Sequence, residues 1–95
     1  MPAFIVFIKE REHDAATLAA YSAKAGPSLA GHAAKPLVYY GAIETLEGPE
    51  ALGSVIVEFP DMDAARAWYQ SEAYQEARAL RFAGADYRVF LTEGV

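Results

Sequence analysis

Apolar positions along the chain fall into short continuous runs separated by stretches with helical spacing. The run at positions 3–8 is β-branched or aromatic at nearly every position, which predicts a strand covered on both faces. Runs at 37–46, 54–59 and 86–92 predict three further strands. The turn Glu47-Gly48-Pro49-Glu50 predicts that the second and third strands are adjacent, because glycine and proline favour tight turns.

Two segments carry helical signals. Asp14 stands at an N-cap position before the alanine-rich stretch Ala15–Ala25, and Gly26-Pro27 predicts an interruption with helix resuming to about His32. Asp61 is the predicted cap of a second helix that runs to about Gln70. Ser71 predicts a fresh start for a further helical piece, Glu72 to Ala83, which Gly84 ends.

The order β-α-β-β-α-β predicts a single α+β domain over residues 1–95 with the ferredoxin-like topology, a four-stranded antiparallel sheet with helices on one face. The third strand separates into Val55, Val57 and Phe59 on one side and a mixed set on the other. The first strand is apolar on both sides. A lone subunit would therefore expose an apolar sheet face to water, so we expect a homodimer formed through that face.

Composition excludes several function classes. The chain has 95 residues, no cysteine, and 13 acidic against 8 basic side chains for a net charge of −5. No disulfide scaffold or thiolate chemistry is possible, and the acidic balance argues against nucleic acid and anionic membranes as partners. The two histidines are far apart in the sequence, so we expect no metal site. The sequence contains no nucleotide-binding motif, so we expect no cofactor. The short apolar run near Pro2 predicts neither a membrane span nor a signal peptide, so we expect a cytoplasmic protein.

The whole chain resembles the DUF1330 family of uncharacterised proteins, within the dimeric α/β-barrel superfamily. The resemblance rests on Pro2-Ala3 before the first strand, on Gly41, on Leu46-Glu47-Gly48, and above all on the second half: Val57-Glu58-Phe59-Pro60, Ala64-Ala65-Arg66-Ala67-Trp68-Tyr69, Ser71, Tyr74-Gln75, Arg78 and Arg81. It implies a homodimer in which two sheets close into one barrel, and it implies no particular activity.

Three candidate site residues follow from that superfamily, whose cofactor-independent monooxygenases use a tryptophan and a tyrosine from this helical region and an arginine from the last strand. The corresponding residues here are Trp68, Tyr74 and Arg88, with Ala64 where those enzymes have an asparagine. The alternative for Trp68 is a core position with one partner for its indole N–H.

Further candidates come from spacing and chemistry. Tyr74, Arg78 and Arg81 share one helical face and could hold a carboxylate or phosphate, or could pair with Asp86 or Glu58. Tyr40 is a further ligand-binding candidate.

Glu58, inside an apolar strand, is a candidate for proton transfer, or for an ion pair with Arg88 of the same or the partner subunit. His32 is either a proton shuttle or a residue stabilising a helix C-terminus.

Two hypotheses of function follow. The first is a small homodimeric protein that binds a small organic molecule or has an accessory role. The second is a cofactor-independent enzyme acting on a small aromatic or carboxylated metabolite. An enzyme requires a cavity in which at least two of the polar candidates converge, whereas a binding protein requires only an apolar cavity.

Overall fold

The computed structural model describes all residues, 1–95, and has the predicted ferredoxin-like topology. The strands are β1 (Ala3–Glu12), β2 (Lys35–Tyr39), β3 (Gly53–Phe59) and β4 (Ala85–Glu93). The helices are α1 (Ala15–Ser28), α2 (Met62–Tyr69) and α3 (Glu72–Gly84). The four strands form one antiparallel sheet in the order β2-β3-β1-β4.

All three predicted N-caps are confirmed. The Asp14 carboxylate accepts hydrogen bonds from the backbone N–H groups of Ala16 and Thr17. Asp61 accepts from the Ala64 N–H at 2.8 Å, and the Ser71 hydroxyl accepts from the Tyr74 N–H. Each cap satisfies amide groups that the first turn of a helix leaves without partners.

The predicted interruption of α1 at Gly26-Pro27 is wrong. Pro27 lies inside the helix, in its last turn, and the helix ends at Ser28. A proline there removes only the hydrogen bond to the carbonyl of Ala23, an exposed residue, while the Ser28 hydroxyl donates to the Ala25 carbonyl at 2.5 Å. The helix does not resume, although single turns continue as far as His32.

The second strand is shorter than predicted. It ends at Tyr39 because Tyr40 adopts a φ of 51°, in the left-handed region, which no extended strand can accommodate. Residues 40–52 form a loop instead, and its apolar side chains Ile43, Leu46 and Leu52 are exposed. The first strand is longer than predicted, since Arg11 and Glu12 pair with β4.

The alternation in the strands is confirmed. One sheet face packs against the helices and forms the core with Trp68, Tyr74 and Tyr21; its strand residues include Ile5, Phe7, Val57 and Phe59. The opposite face, called the outer face below, carries Phe4, Val6, Ile8, Val38, Ile56 and Phe90, together with Glu58 and Arg88. The core lies on the other side of the sheet, and on the outer face Val6 and Ile56 are half-buried while Phe90 is 43% exposed.

The helices are too short or too polar to cross a bilayer.

Candidate functional site

A cavity of about 220 Å³ lies between α1 and the inner face of the sheet. Its lining is mostly apolar and includes Tyr21, Ala25, Leu29, Tyr40, Val57 and Trp68. Three exposed residues, Gly26, Pro36 and Tyr39, surround its mouth between the end of α1 and β2. No charged side chain lines it, so the cavity suits a largely apolar molecule.

Trp68 is both a core residue and part of the cavity wall. Its side chain is 3% exposed, its ring stacks on Phe59 with centroids 5.7 Å apart, and its indole N–H donates to the Ser28 hydroxyl at 3.0 Å. Trp68 therefore occupies a core position in which its indole N–H has one hydrogen-bond partner, as one of the two alternatives predicted. One edge of the residue still faces the cavity.

Tyr40 closes the opposite side of the cavity. Its ring lies so close to Gly53 that a Cβ atom at Gly53 would come within 2.9 Å of it, which explains the glycine. Its hydroxyl is 2.6 Å from the Tyr87 hydroxyl. Burial and this hydrogen bond raise the pKa of Tyr40, and burial raises the pKa of Tyr87.

Tyr74 and Arg81 are buried and do not line the cavity. Tyr74 has no exposed surface, and its hydroxyl is 3.0 Å from that of Tyr21. Arg81 is 2% exposed, no carboxylate pairs with it, and its Nε has no hydrogen-bond partner. Its guanidinium lies 5.8 Å from the ring centroid of Phe7 and 5.5 Å from that of Tyr87, within the range of cation–π contacts.

Arg78 lies apart from Tyr74 and Arg81. It is half-buried and lies over the rings of Tyr69 and Phe82, at 5.6 and 4.7 Å from their centroids. Pairing of these arginines with Asp86 or Glu58 within the chain is wrong. Asp86 contacts Arg11 and His13 instead.

Glu58, Arg88 and His32, the candidates for moving a proton or orienting an anion, do not line the cavity. Glu58 lies on the outer face between Phe4 and Lys35, and Arg88 lies opposite Ile8. Two strand spacings across the sheet and four residues along it put the Cα atoms of Glu58 and Arg88 roughly 16 Å apart. The prediction of an ion pair between them within one chain is therefore wrong. Pairing with Arg88 of a second copy stays a prediction.

Tyr21 and Lys9 were missed as site residues. Tyr21 lines the cavity and also an adjoining groove, which contains the half-buried Lys9 and its partner Glu12 at 2.5 Å. Helical spacing identifies Tyr21 as a core-facing position, but nothing local in the sequence shows that its hydroxyl meets Tyr74, 53 positions away.

No three histidine, aspartate or glutamate side chains come together as potential metal ligands.

Comparison with solved structures supports the fold. The chain is 24% identical to a protein of unknown function from Rhodopseudomonas palustris, with a TM-score of 0.76 over 99% of this chain and 82% of that one. A dimeric ferredoxin-like protein of unknown function from Jannaschia sp. CCS1 is 14% identical, with a TM-score of 0.77 over 99% of this chain and all of that one.

SnoaB, a cofactor-independent oxygenase from Streptomyces nogalater, is 15% identical with a TM-score of 0.64, over 99% of this chain and 92% of that one. At these identities the likeness concerns the fold alone. No curated protein matches the chain.

The family resemblance seen in the sequence is confirmed over nearly the whole chain. The model of a domain of unknown function, DUF1330, matches residues 2–95. No function is assigned to that family, so the match indicates common ancestry and architecture but no activity. The chain belongs to the DUF1330 family.

Proposed function

We propose that the protein binds a small, mostly apolar organic molecule in the cavity between α1 and the sheet. The observation that carries this is the cavity itself, about 220 Å³ with an uncharged lining. An apolar cavity of about 150 Å³ is enough to bind benzene, and typical pockets for drug-sized ligands start near 300 Å³. The expected ligand is therefore about the size of one aromatic ring with a short substituent.

Binding fits the geometry better than catalysis. Of the polar candidates, only Trp68 and Tyr40 reach the cavity, while Glu58, His32 and Arg88 lie elsewhere. Burial raises the pKa of Tyr21 and of Tyr40, so both phenols stay protonated near neutral pH. A general base that works at that pH is therefore missing from the lining.

The test uses the fluorescence of Trp68, the single tryptophan of the chain, which reports on the cavity it lines. Toluene should change this fluorescence saturably. Ala25→Leu places a larger side chain in the cavity wall and should abolish the response. Ala23→Leu makes the same change at an exposed position of α1 and should preserve it. Equal responses from both variants, or none from the unaltered protein, would contradict the proposal.

We also propose that two copies associate through the outer face. The support is the partly exposed apolar surface around Val6, which lies between Ile56 and Phe90 in the register, with Phe90 43% exposed. Stable interfaces of this kind bury roughly 2,000 Å² or more in total. The half-buried Glu58 has no ion-pair partner within the chain, and Arg88 of the second copy would supply one.

A further inference from the structure

The groove beside the cavity contains a lysine on the core-facing side of the sheet. This groove, called the Lys9 groove below, has a volume of about 280 Å³ and lies between the first half of α1 and the sheet. Strand alternation places Lys9 in the same series as the buried residues Ile5 and Phe7. Its side chain is 17% exposed. A lysine is rarely so far withdrawn from water unless its ammonium has partners, so the partners of Lys9 indicate what the groove can bind.

The Lys9 ammonium has more donors than partners within the chain. An ammonium group carries three N–H donors and no acceptor, so the direction of its hydrogen bonds is fixed. One donor is used by the Glu12 carboxylate, at 2.5 Å. Glu12 is the one hydrogen-bond partner of this ammonium in the chain. The other donors can therefore bind a molecule that enters the groove.

Arg81 adds a second positive charge next to the groove. Its side chain is 2% exposed, and its guanidinium lies 5.5 Å from the ring centroid of Tyr87, which lines the groove. No carboxylate of the chain pairs with Arg81. The charged residues that line the groove are Lys9 and Glu12, so with Arg81 the positive charges outnumber the negative one. An uncompensated positive charge withdrawn from water stabilises an anion placed near it.

We propose that the Lys9 groove binds a small organic monocarboxylate. Its oxygens accept hydrogen bonds from the Lys9 ammonium, and such charged pairs are among the strong hydrogen bonds in proteins. Its apolar part packs against Leu18, Tyr40 and Tyr87, since 6 of the 9 residues that line the groove are hydrophobic. The net charge of −5 disfavours anions of higher charge. This site is additional to the cavity and does not require that the cavity be filled.

The test titrates benzoate into the protein at constant ionic strength. The backbone amide signals of Ala15 and Ala19 are followed by NMR, because these residues line the groove and not the cavity. Benzoate should shift these signals saturably. Nitrobenzene has nearly the same shape without the charge and should bind there at least about tenfold more weakly, the effect of losing one hydrogen bond between charged groups. Absence of saturable shifts with benzoate, or equal affinity for the two probes, would overturn the inference.

Lys9→Met removes the ammonium and keeps the length of the side chain, and it should weaken benzoate at least about tenfold. Lys24→Met is the matched control, because it removes the same charge from an exposed position of α1 outside the groove. That control should bind benzoate within twofold of the unaltered protein. No loss from Lys9→Met, or equal losses in the two variants, would overturn the inference.

Glu12→Gln covers the case in which Lys9→Met does not fold. It removes the carboxylate that competes for the ammonium, so benzoate should bind about three- to tenfold more tightly. A purely structural ion pair between Lys9 and Glu12 would give no such gain. Unchanged or weaker binding by Glu12→Gln would therefore overturn the inference.

Ala25→Leu separates this site from the cavity, because Ala25 lines the cavity and not the groove. This variant should bind benzoate within twofold of the unaltered protein. Loss of benzoate binding would place benzoate in the cavity, which would overturn the groove site and leave the proposed function standing. Retained benzoate binding by a protein that does not respond to toluene would support the groove site and contradict the proposed function.

Discussion

Burial governs the chemistry of four tyrosines that form two hydrogen-bonded pairs. It raises the pKa of Tyr21, Tyr40, Tyr74 and Tyr87 above the ordinary value of 10.0. For Tyr74 and Tyr87, a hydrogen bond from the paired tyrosine and the positive charge of Arg81 oppose this rise. The result is a set of hydroxyls that remain neutral donors and acceptors through the physiological range.

These shifts predict a loss of stability at high pH. Above about pH 10 the unfolded tyrosines lose their protons while the folded ones keep them, so the free energy of unfolding falls as pH rises. Below that pH both states are protonated and the contribution is constant. Each buried tyrosine, Tyr21 or Tyr74, adds up to about 1.4 kcal/mol per pH unit to the slope, and Tyr40, which is 37% exposed, adds less.

Denaturant titrations between pH 7 and pH 11 check this, with Tyr40→Phe as the comparison. Below pH 9 the difference in free energy of unfolding between Tyr40→Phe and the unaltered protein should be constant. Above pH 10 the unaltered protein should lose stability relative to Tyr40→Phe. Two curves that stay parallel over the whole range would show that burial does not control this phenol.

Trp68 should be the most costly side chain of α2 to remove. Trp68→Ala removes a ring packed against Phe59 and Tyr74, and it should lower the free energy of unfolding by about 3–5 kcal/mol. Tyr69→Ala, at the half-buried next position, should cost less. Chemical denaturation of both variants measures this, and a smaller loss for Trp68→Ala than for Tyr69→Ala would refute it.

At the scale of elements, local sequence patterns predicted the order of helices and strands correctly. They failed to predict element boundaries that depend on long-range contacts. Caps such as Asp61 and Ser71 depend on neighbouring residues, and the sequence identifies them. The end of β2 depends on Tyr40, which leaves the extended conformation as its hydroxyl meets Tyr87 across the sheet. Continuation of α1 through Pro27 depends on the proline lying in the last turn, a distinction of one or two residues.

The contact between α1 and α3 gives a prediction at this scale. A Cβ atom on Gly84 would lie 3.0 Å from the Leu18 side chain and 3.2 Å from its backbone nitrogen. The backbone there is held in place, since the Gly84 carbonyl accepts hydrogen bonds from the N–H groups of His13 and Asp14. Gly84→Ala should therefore destabilise the fold by about 1–3 kcal/mol.

Thermal and denaturant unfolding measure this loss, with Gly41→Ala as the control, because a Cβ atom there would meet nothing within 4 Å. Gly41→Ala should change stability by less than about 0.5 kcal/mol. Shortening the opposing side chain, in the double variant Gly84→Ala with Leu18→Ala, should show favourable coupling between the two changes. Additive losses would mean that the two helices do not meet as described.

At the scale of the whole molecule, the outer face predicts self-association. Val6→Lys places a charge at the centre of that face and should convert a dimer into a monomer, because burying an unpaired ammonium is very costly. Ala79→Lys, on the exposed surface of α3, should leave the dimer intact. Light scattering that finds the unaltered protein at 10.3 kDa at low micromolar concentration would contradict the proposed dimer.

The cavity is the feature that sequence reasoning reached least well. Trp68 and Tyr40 were among the candidates and do line it, but the residues chosen for proton transfer lie outside it. Whether Glu58 faces the helices or the outer side follows from strand alternation, yet which strand neighbours it meets follows from the register of three strands. Empty volume between packed elements depends on all of these contacts at once, and no single motif encodes it.

The most direct test of the central claim is a crystal structure of the protein soaked with α-methylstyrene. We predict density for the ring between α1 and the inner face of the sheet, against Trp68, Ala25 and Val57, with the surrounding side chains in place. Density only at the surface, or a cavity closed by movement of α1 towards the sheet, would contradict the account.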